Sequence, residues 1–124
     1  MLRILLWLWA EGYNPYYVIG GGHNLPGGTC FVDAVRELKL QCEAQGYKPD
    51  YIFLASGTGS TQAGVVVGLN LVGWDDVKCV GISVARQQER GKQVIAEFAN
   101  MLSAHYGVMK DYTDSILFNT SMFI

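Results

Sequence analysis

A turn rich in glycine and hydroxyl residues stands between a short apolar run and an apolar segment. The run, 51–55, is continuously apolar, as is typical of a strand buried on both faces of a parallel sheet, and residues 61–71 predict a helix. The turn consists of Ser56, Gly57, Thr58, Gly59, Ser60 and Thr61. Glycines let backbone N–H groups converge, and the start of a helix adds partial positive charge and hydroxyl donors. The turn therefore predicts an anion site, with phosphate as its natural occupant.

The spacing of this turn excludes two common phosphate-binding motifs. The dinucleotide motif G-x-G-x-x-G fails because the third position after Gly57 and Gly59 is Gln62. The P-loop fails because Gly64 is followed by two valines instead of a lysine and a hydroxyl residue. A compact loop remains, suited to a single terminal phosphate such as that of pyridoxal phosphate. A strand-to-helix turn capped by Ser or Thr, without a ligand, is the alternative.

Length and charge narrow the functional classes. The 124 residues predict one domain, 1–124, which is short for an enzyme that holds both a cofactor and a substrate. A net charge of -2 without a basic cluster argues against nucleic-acid binding. The apolar start, 2–10, is too short to span a bilayer, so no membrane partner is predicted, and its two tryptophans favour self-association.

The cysteines and acidic residues predict neither disulfides nor a metal site. Cys30, Cys42 and Cys79 have no C-x-x-C spacing, and buried reduced thiols in a cytoplasmic protein are the interpretation that fits them. Asp75 and Asp76 have no partner carboxylate or histidine nearby in the sequence, so no metal is expected.

Strand-like and helix-like pieces alternate along the chain, as in a parallel sheet with helices packed on its faces. Strands are predicted over 16–19, 51–55, 77–84 and 115–118, and helices over 29–45, 61–71 and 88–105. Glycines between 20 and 28 predict a long flexible loop. The pattern predicts the α/β class, with three α/β/α layers and a mainly parallel sheet.

Three polar residues outside the turn are functional candidates. His23 is predicted to be solvated in its loop, and His105 to end a helix, where an imidazolium favours the dipole. Arg86 follows a predicted strand at the end where α/β folds place ligand contacts. Contact with a ligand anion, a cap on the next helix, and pairing with Glu89 remain open for this arginine.

Several motifs in one order resemble the fold-type II pyridoxal-phosphate enzymes, which share the tryptophan-synthase β-subunit fold. Residues 56–64 resemble the phosphate loop of this family, in the branch of D-cysteine desulfhydrase and 1-aminocyclopropane-1-carboxylate deaminase. Residues 17–19, with the glycines and Phe31 after them, resemble an earlier strand, loop and helix entry. Residues 80–86 and 114–118 resemble the later strands. The resemblance covers the middle part of such an enzyme.

The resemblance implies pyridoxal phosphate as cofactor, held by the six turn residues, and the activity of a lyase or deaminase that releases ammonia and a 2-keto acid. In the family, the lysine that forms the Schiff base lies upstream of the phosphate loop, in a part that these residues do not match. The lysines here, none in a matching motif, are Lys39, Lys48, Lys78, Lys92 and Lys110.

The prediction is therefore a truncated relative that keeps the phosphate loop, has no catalytic residue of its own and is inactive alone. Two alternatives stay open. One is a non-catalytic ligand-binding or homo-oligomeric interaction domain on the same fold. The other is half of a two-chain enzyme, in which a complementary chain supplies the lysine.

Overall fold

The computed structural model describes residues 1–121. Its helices and strands in chain order are α1 (Leu2–Ala10), α2 (Leu25–Gln45), β1 (Tyr51–Ser56), α3 (Ser60–Leu71), β2 (Lys78–Ser83), α4 (Gln88–His105) and β3 (Leu117–Asn119). A 3-10 turn, Gly20–Gly22, precedes α2.

The strands form a parallel sheet in the order β1-β2-β3, so β1 and β3 lie at its edges. Ser56 of β1 pairs in register with Ser83 of β2, which brings the carboxyl ends of these two strands together. The two crossovers run through α3 and α4. Parallel crossovers are right-handed, so successive strands in this order place both helices on the same face of the sheet.

The two faces of the sheet consequently differ, and we call them the helix face and the open face. The helix face carries Ile52, Leu54, Ser56, Cys79, Gly81, Ser83 and Phe118, while the open face carries Tyr51, Phe53, Ala55, Lys78, Val80, Ile82 and Leu117. On the helix face Phe118 is buried against Gly91 of α4. On the open face Phe53 is 66% exposed.

Helix α3 lies at the centre of the core, and most of its residues are buried. Two of its glycines let α2 approach closely. A Cβ at Gly64 would lie 2.7 Å from the carbonyl oxygen of Gly28, and one at Gly68 would lie 2.8 Å from Cβ of Val35. The small residues of α3 therefore fix the spacing between these two helices, which in turn holds the start of α3 in place.

The sequence predicts most of the elements correctly. Strand β1 and helix α3 differ by one residue at one end from the predicted ranges, and α4 has the predicted limits. Helix α2 begins four residues earlier than predicted, because Oδ1 of Asn24 accepts a hydrogen bond from the Gly27 N–H at 2.9 Å and Pro26 fits the first turn. Strand β3 begins later than predicted and is three residues long.

Two predictions about the strands are wrong. Residues 16–19 form no strand and are exposed, because no neighbouring strand pairs with them within residues 1–121 and a lone strand is not stable. The run 51–55 is not buried on both faces, because both helical crossovers lie on the same side of the sheet.

The apolar start of the chain forms α1, and none of its residues is buried. Across residues 1–121, no helix combines the length and the apolar character needed to cross a membrane. Cys42 and Cys79 are buried as predicted, but Cys30 is exposed on α2, so that part of the cysteine prediction is wrong.

Candidate phosphate-binding site

The predicted turn lies at the carboxyl edge of the sheet, between the end of β1 at Ser56 and the start of α3 at Ser60. We call residues 56–61 the phosphate loop. Gly59 adopts a φ of 94°, and a Cβ there would lie 2.7 Å from Cγ1 of the buried Ile95 in α4. Only glycine fits both the conformation and the space. The loop is therefore held against α4 at this point.

The backbone N–H groups of residues 57–62 have no hydrogen-bond acceptor within residues 1–121. The first N–H groups of a helix lack partners inside the helix, and here Gly59 at the N-cap has no side chain to satisfy them. Such a row of donors, together with the positive end of the α3 dipole, favours an anion. The loop thus has the donors that a phosphate group needs.

A second glycine segment packs directly on this loop. The hydroxyl of Ser60 donates a hydrogen bond to the carbonyl oxygen of Gly21 at 2.8 Å, and Oγ1 of Thr58 lies 3.4 Å from Oγ of Ser60. Gly21 has a φ of 70°, and a Cβ there would overlap the side chain of Thr58. The predicted Ser60 donor is therefore engaged with Gly21, while the hydroxyl of Thr61 has no partner within residues 1–121.

The hydroxyl of Ser56 is buried at the base of the loop and has no hydrogen-bond partner in the described part of the chain. A buried polar group without a partner is costly, since it has lost its water. An occupant of the loop that reached this hydroxyl would remove the cost. Ser56 is consequently the loop side chain with an unused hydrogen-bonding capacity in a buried position.

Arg86 contacts the loop from the end of the neighbouring strand. Its Nε donates a hydrogen bond to the carbonyl oxygen of Gly57 at 3.1 Å, and the side chain is half-buried. No ion pair joins Arg86 to Glu89 within residues 1–121. Of the three roles left open by the sequence, pairing with Glu89 is therefore not seen, and a contact with the loop backbone is found instead.

His23 lies beside the loop. The sequence predicts it to be solvated, but in the structure its ring is packed against another side chain. Its ring stacks on Phe98 of α4 with a centroid distance of 4.3 Å. Burial lowers the pKa of His23, the charge of Arg86 lowers it further, and a hydrogen bond with the Thr58 backbone opposes these effects. The imidazole is accordingly neutral at pH 7. No sequence signal pointed to this stacking, because the partner ring lies 75 residues away in the chain.

None of the five lysines contacts the phosphate loop. Lys39 donates to the carbonyl oxygen of Val72, and Lys48 pairs with Asp76. The other three are Lys78 over the ring of Tyr51, Lys92 on α4 and Lys110 beside Asp75. Within residues 1–121 no group of three or more His, Cys, Asp or Glu side chains is placed to hold a metal ion. The site therefore offers binding groups, with no lysine beside them.

Fold and loop together define a class: a parallel α/β protein with an anion site between a strand and the helix that follows it. No model of a known protein family matches the chain. A 1-aminocyclopropane-1-carboxylate deaminase from Burkholderia cenocepacia is 33% identical over 104 residues, which are 83% of this chain and 30% of that enzyme. Another, from Burkholderia orbicola, is 37% identical over 89 residues, which are 71% of this chain and 26% of that enzyme.

A solved structure gives the same result. The crystal structure of a 1-aminocyclopropane-1-carboxylate deaminase homologue matches with a TM-score of 0.75 and 32% identity, over 94% of this chain and 34% of that one. The chain is thus similar to a part of the deaminases and spans about a third of their length. The predicted partial resemblance to fold-type II enzymes and the predicted α/β/α class with a mainly parallel sheet are confirmed by this match, while within residues 1–121 the crossover helices cover one face of the sheet.

Proposed function

We propose that the chain is a relative of one part of the pyridoxal-phosphate lyases and deaminases, and that its phosphate loop binds the phosphate group of pyridoxal phosphate without catalysis by the chain alone. The observation that carries the proposal is the row of unpaired N–H groups at residues 57–62, at the start of α3. The deaminase relatives support the choice of cofactor.

The residues present fit the phosphate end of this cofactor. The loop N–H groups bind the phosphate oxygens, Gly59 keeps the turn tight, and the buried hydroxyl of Ser56 can complete the hydrogen bonding. When bound, pyridoxal phosphate supplies an electron sink for the bonds that break next to a substrate amino group. Proton transfer and release of product need a lysine at the cofactor, and the lysines here lie elsewhere. Binding without turnover follows from this arrangement.

The binding test uses pyridoxine 5′-phosphate, which carries the phosphate but has no aldehyde to react with surface lysines. Calorimetric titration of the full chain is expected to show one site, with inorganic phosphate as a competitor and dephosphorylated pyridoxine without measurable binding. Equal affinity for pyridoxine and its phosphate would contradict the proposal, since the phosphate would then contribute nothing.

A pair of variants at Thr61 locates the site. Thr61→Asp places a carboxylate in the first turn of α3, where it suits the helix dipole but repels a bound phosphate. Thr61→Asn has nearly the same size without the charge. We expect T61D to lose binding and T61N to retain it, with both variants folded by circular dichroism. Retained binding in T61D would place the anion elsewhere.

Turnover is tested separately. Pyridoxal phosphate with D-cysteine, or with 1-aminocyclopropane-1-carboxylate, is expected to give no more 2-keto acid in the presence of the chain than in its absence. Turnover by the chain alone would refute the inactive assignment.

We place the function in the cytoplasm, because Cys30, Cys42 and Cys79 are free thiols.

A second function, homo-oligomeric association, is favoured by the exposed apolar surface. Trp7 and Trp9 of α1 are 60% and 70% exposed, and Tyr51 and Phe53 of the open face are 51% and 66% exposed. At ~150–250 Å² for an aromatic side chain, Tyr51 and Phe53 expose roughly 200 Å² on the open face, which is about a quarter of the ~800 Å² that each partner buries in a standard interface. We propose a second copy of this chain as the occupant of the open face.

Sedimentation equilibrium tests the association. The wild-type chain is expected to dimerise and Phe53→Glu to be monomeric. Met109→Glu is the matched control, because it adds the same charge at a side chain that is 93% exposed and lies outside the sheet. A wild-type monomer at high concentration, or equal weakening by both substitutions, would contradict this second function.

A further inference from the structure

The backbone at the end of β2 is arranged around the hydroxyl of Ser83. This hydroxyl donates a hydrogen bond to the carbonyl oxygen of Arg86 at 2.6 Å and accepts one from the Arg86 N–H at 3.0 Å. Ser83 is 1% exposed and pairs in register with Ser56. The main chain of Arg86 is thus fastened to the carboxyl edge of the sheet, directly beside the start of the phosphate loop.

From this fixed position the Arg86 side chain reaches across to the loop, where Nε donates to the carbonyl oxygen of Gly57 at 3.1 Å. The peptide between Gly57 and Thr58 is planar and trans, so its C=O and N–H point in opposite directions. Holding the Gly57 oxygen toward Arg86 therefore turns the Thr58 N–H away from Arg86. That N–H is one of the unpaired donors of the loop.

We propose that Arg86 is a positioning residue for the phosphate loop, which orients the Thr58 N–H as a phosphate donor by holding the Gly57 carbonyl. This inference rests on the proposed function of the loop in binding phosphate. Arg86 acts through the loop backbone, by way of its hydrogen bond to the Gly57 carbonyl. A planar guanidinium suits this role because its Nε–H direction is fixed relative to the rest of the group, whereas an ammonium is a rotating point charge.

Arg90 provides a matched control. Arg86 and Arg90 line the same cavity of about 470 Å³ with His23 and Phe98, so the two positive charges lie in the same part of the molecule. Arg90 hydrogen bonds to Gln93 on its own helix and makes no hydrogen bond to the loop. Removing either charge changes the local potential, but only removal of Arg86 frees the Gly57 carbonyl.

The first measurement is amide hydrogen exchange of Ala63 and Val84 in the ligand-free chain, because their N–H groups hydrogen bond to the carbonyl oxygens of Gly59 and Ser56 and so report on the order of the loop. Exchange is expected to become faster in Arg86→Gln and Arg86→Lys and to stay at the wild-type rate in Arg90→Gln. The second is the affinity for pyridoxine 5′-phosphate, which we expect to fall about tenfold in both Arg86 variants and at most about twofold in Arg90→Gln. Melting temperatures close to wild type would separate positioning from a general loss of stability.

Each outcome decides the matter. Wild-type behaviour of Arg86→Lys would show that charge alone is required, and equal effects of Arg86→Gln and Arg90→Gln would show long-range electrostatics; either overturns the positioning role. If Arg86→Gln does not fold, Ser83→Ala loosens the Arg86 backbone without removing the charge and is expected to change both readouts in the same direction. Unchanged amide exchange and unchanged affinity in Ser83→Ala would then refute the positioning role of Arg86. Absent binding in the wild type refutes the proposed function, while the exchange comparison still decides whether Arg86 orders the loop.

Discussion

The helix face and the open face of the sheet are built from similar residues but have different surroundings. Phe118 on the helix face is 4% exposed, whereas Phe53 on the open face is 66% exposed. In both strands successive side chains point to opposite faces of the sheet. The sequence pattern therefore does not distinguish the two phenylalanine rings. An apolar side chain on a strand thus shows only that its face is suited to apolar contacts. The side on which the crossover helices lie decides which face this chain covers.

The largest expected effect separates the two phenylalanines. Phe118→Ala removes a ring packed against α4 and is expected to lower the free energy of unfolding by about 3–5 kcal/mol, a typical cost for a buried Phe→Ala change. Phe53→Ala is expected to cost about 0.5 kcal/mol or less, as for other exposed positions. Urea unfolding at low protein concentration measures both. A cost at Phe53 equal to that at Phe118 would mean that the open face is covered even in the dilute chain.

The phosphate loop packs against α4 on the helix face of the sheet. Two glycine substitutions test how much this contact contributes to stability. Gly59→Ala forces an alanine to a φ of 94° against Ile95, so we expect a loss of about 1–3 kcal/mol. Gly57→Ala meets only Cγ2 of Val84 at 3.4 Å, and a loss below about 0.5 kcal/mol is expected. Thermal unfolding distinguishes the two. Similar losses would show that the loop tolerates or rejects any side chain regardless of its contact with α4.

His23, stacked on α4, gives a smaller effect that depends on pH. Its pKa is lowered in the folded chain by burial and by Arg86, so the unfolded state binds the proton more readily. The stability due to neutral His23 is therefore present above pH ~6.5 and is lost as the pH falls through the lower folded pKa. The cavity that His23 lines is also lined by Arg90 and Glu97, whose charges face it.

Urea unfolding of His23→Gln between pH 5 and 8 checks this expectation. The variant should show a flatter dependence of the unfolding free energy on pH than the wild type across this window. His105→Gln, at the exposed end of α4, is the control and should leave the low-pH loss in place. If the pH dependence of the unfolding free energy stayed unchanged in His23→Gln and disappeared in His105→Gln, the assignment of this effect to His23 would be contradicted.

The smallest effect concerns thiol chemistry on the two sides of the core. Burial under the helices raises the pKa of Cys79 to about 12, so its reactive thiolate is scarce at neutral pH. Cys30 is exposed and should react with a thiol reagent in the native chain, while Cys42 and Cys79 react only after unfolding. Mass spectrometry of briefly alkylated protein counts the labels. Rapid native labelling of Cys79 would show that the helix face opens readily.

Sequence reasoning predicted the elements that have their own local signals. Periodic apolar positions gave the limits of α4, and the run before Ser56 gave β1. The segment 16–19 has the composition of a strand, but within residues 1–121 no neighbouring strand pairs with it, and pairing is a long-range property. The phosphate loop was found from its glycines, whereas Arg86 on Gly57 and His23 on Phe98 depend on how distant segments meet. Side chains that complete a site from other elements leave no spacing to detect.

The position of β1 at the edge of the sheet has a consequence for the behaviour of the chain in concentrated solution. One side of β1 is unpaired within residues 1–121, so its backbone is available to hydrogen bond with a strand of another molecule. The preceding Lys48-Pro49-Asp50 limits this hazard, because proline cannot donate a ladder hydrogen bond and charged residues disfavour stacking of identical strands. Because these three residues lie just before Tyr51, we expect them to limit the extension of such pairing beyond the start of β1, and substituting Pro49 by a β-former such as valine is expected to promote precipitation.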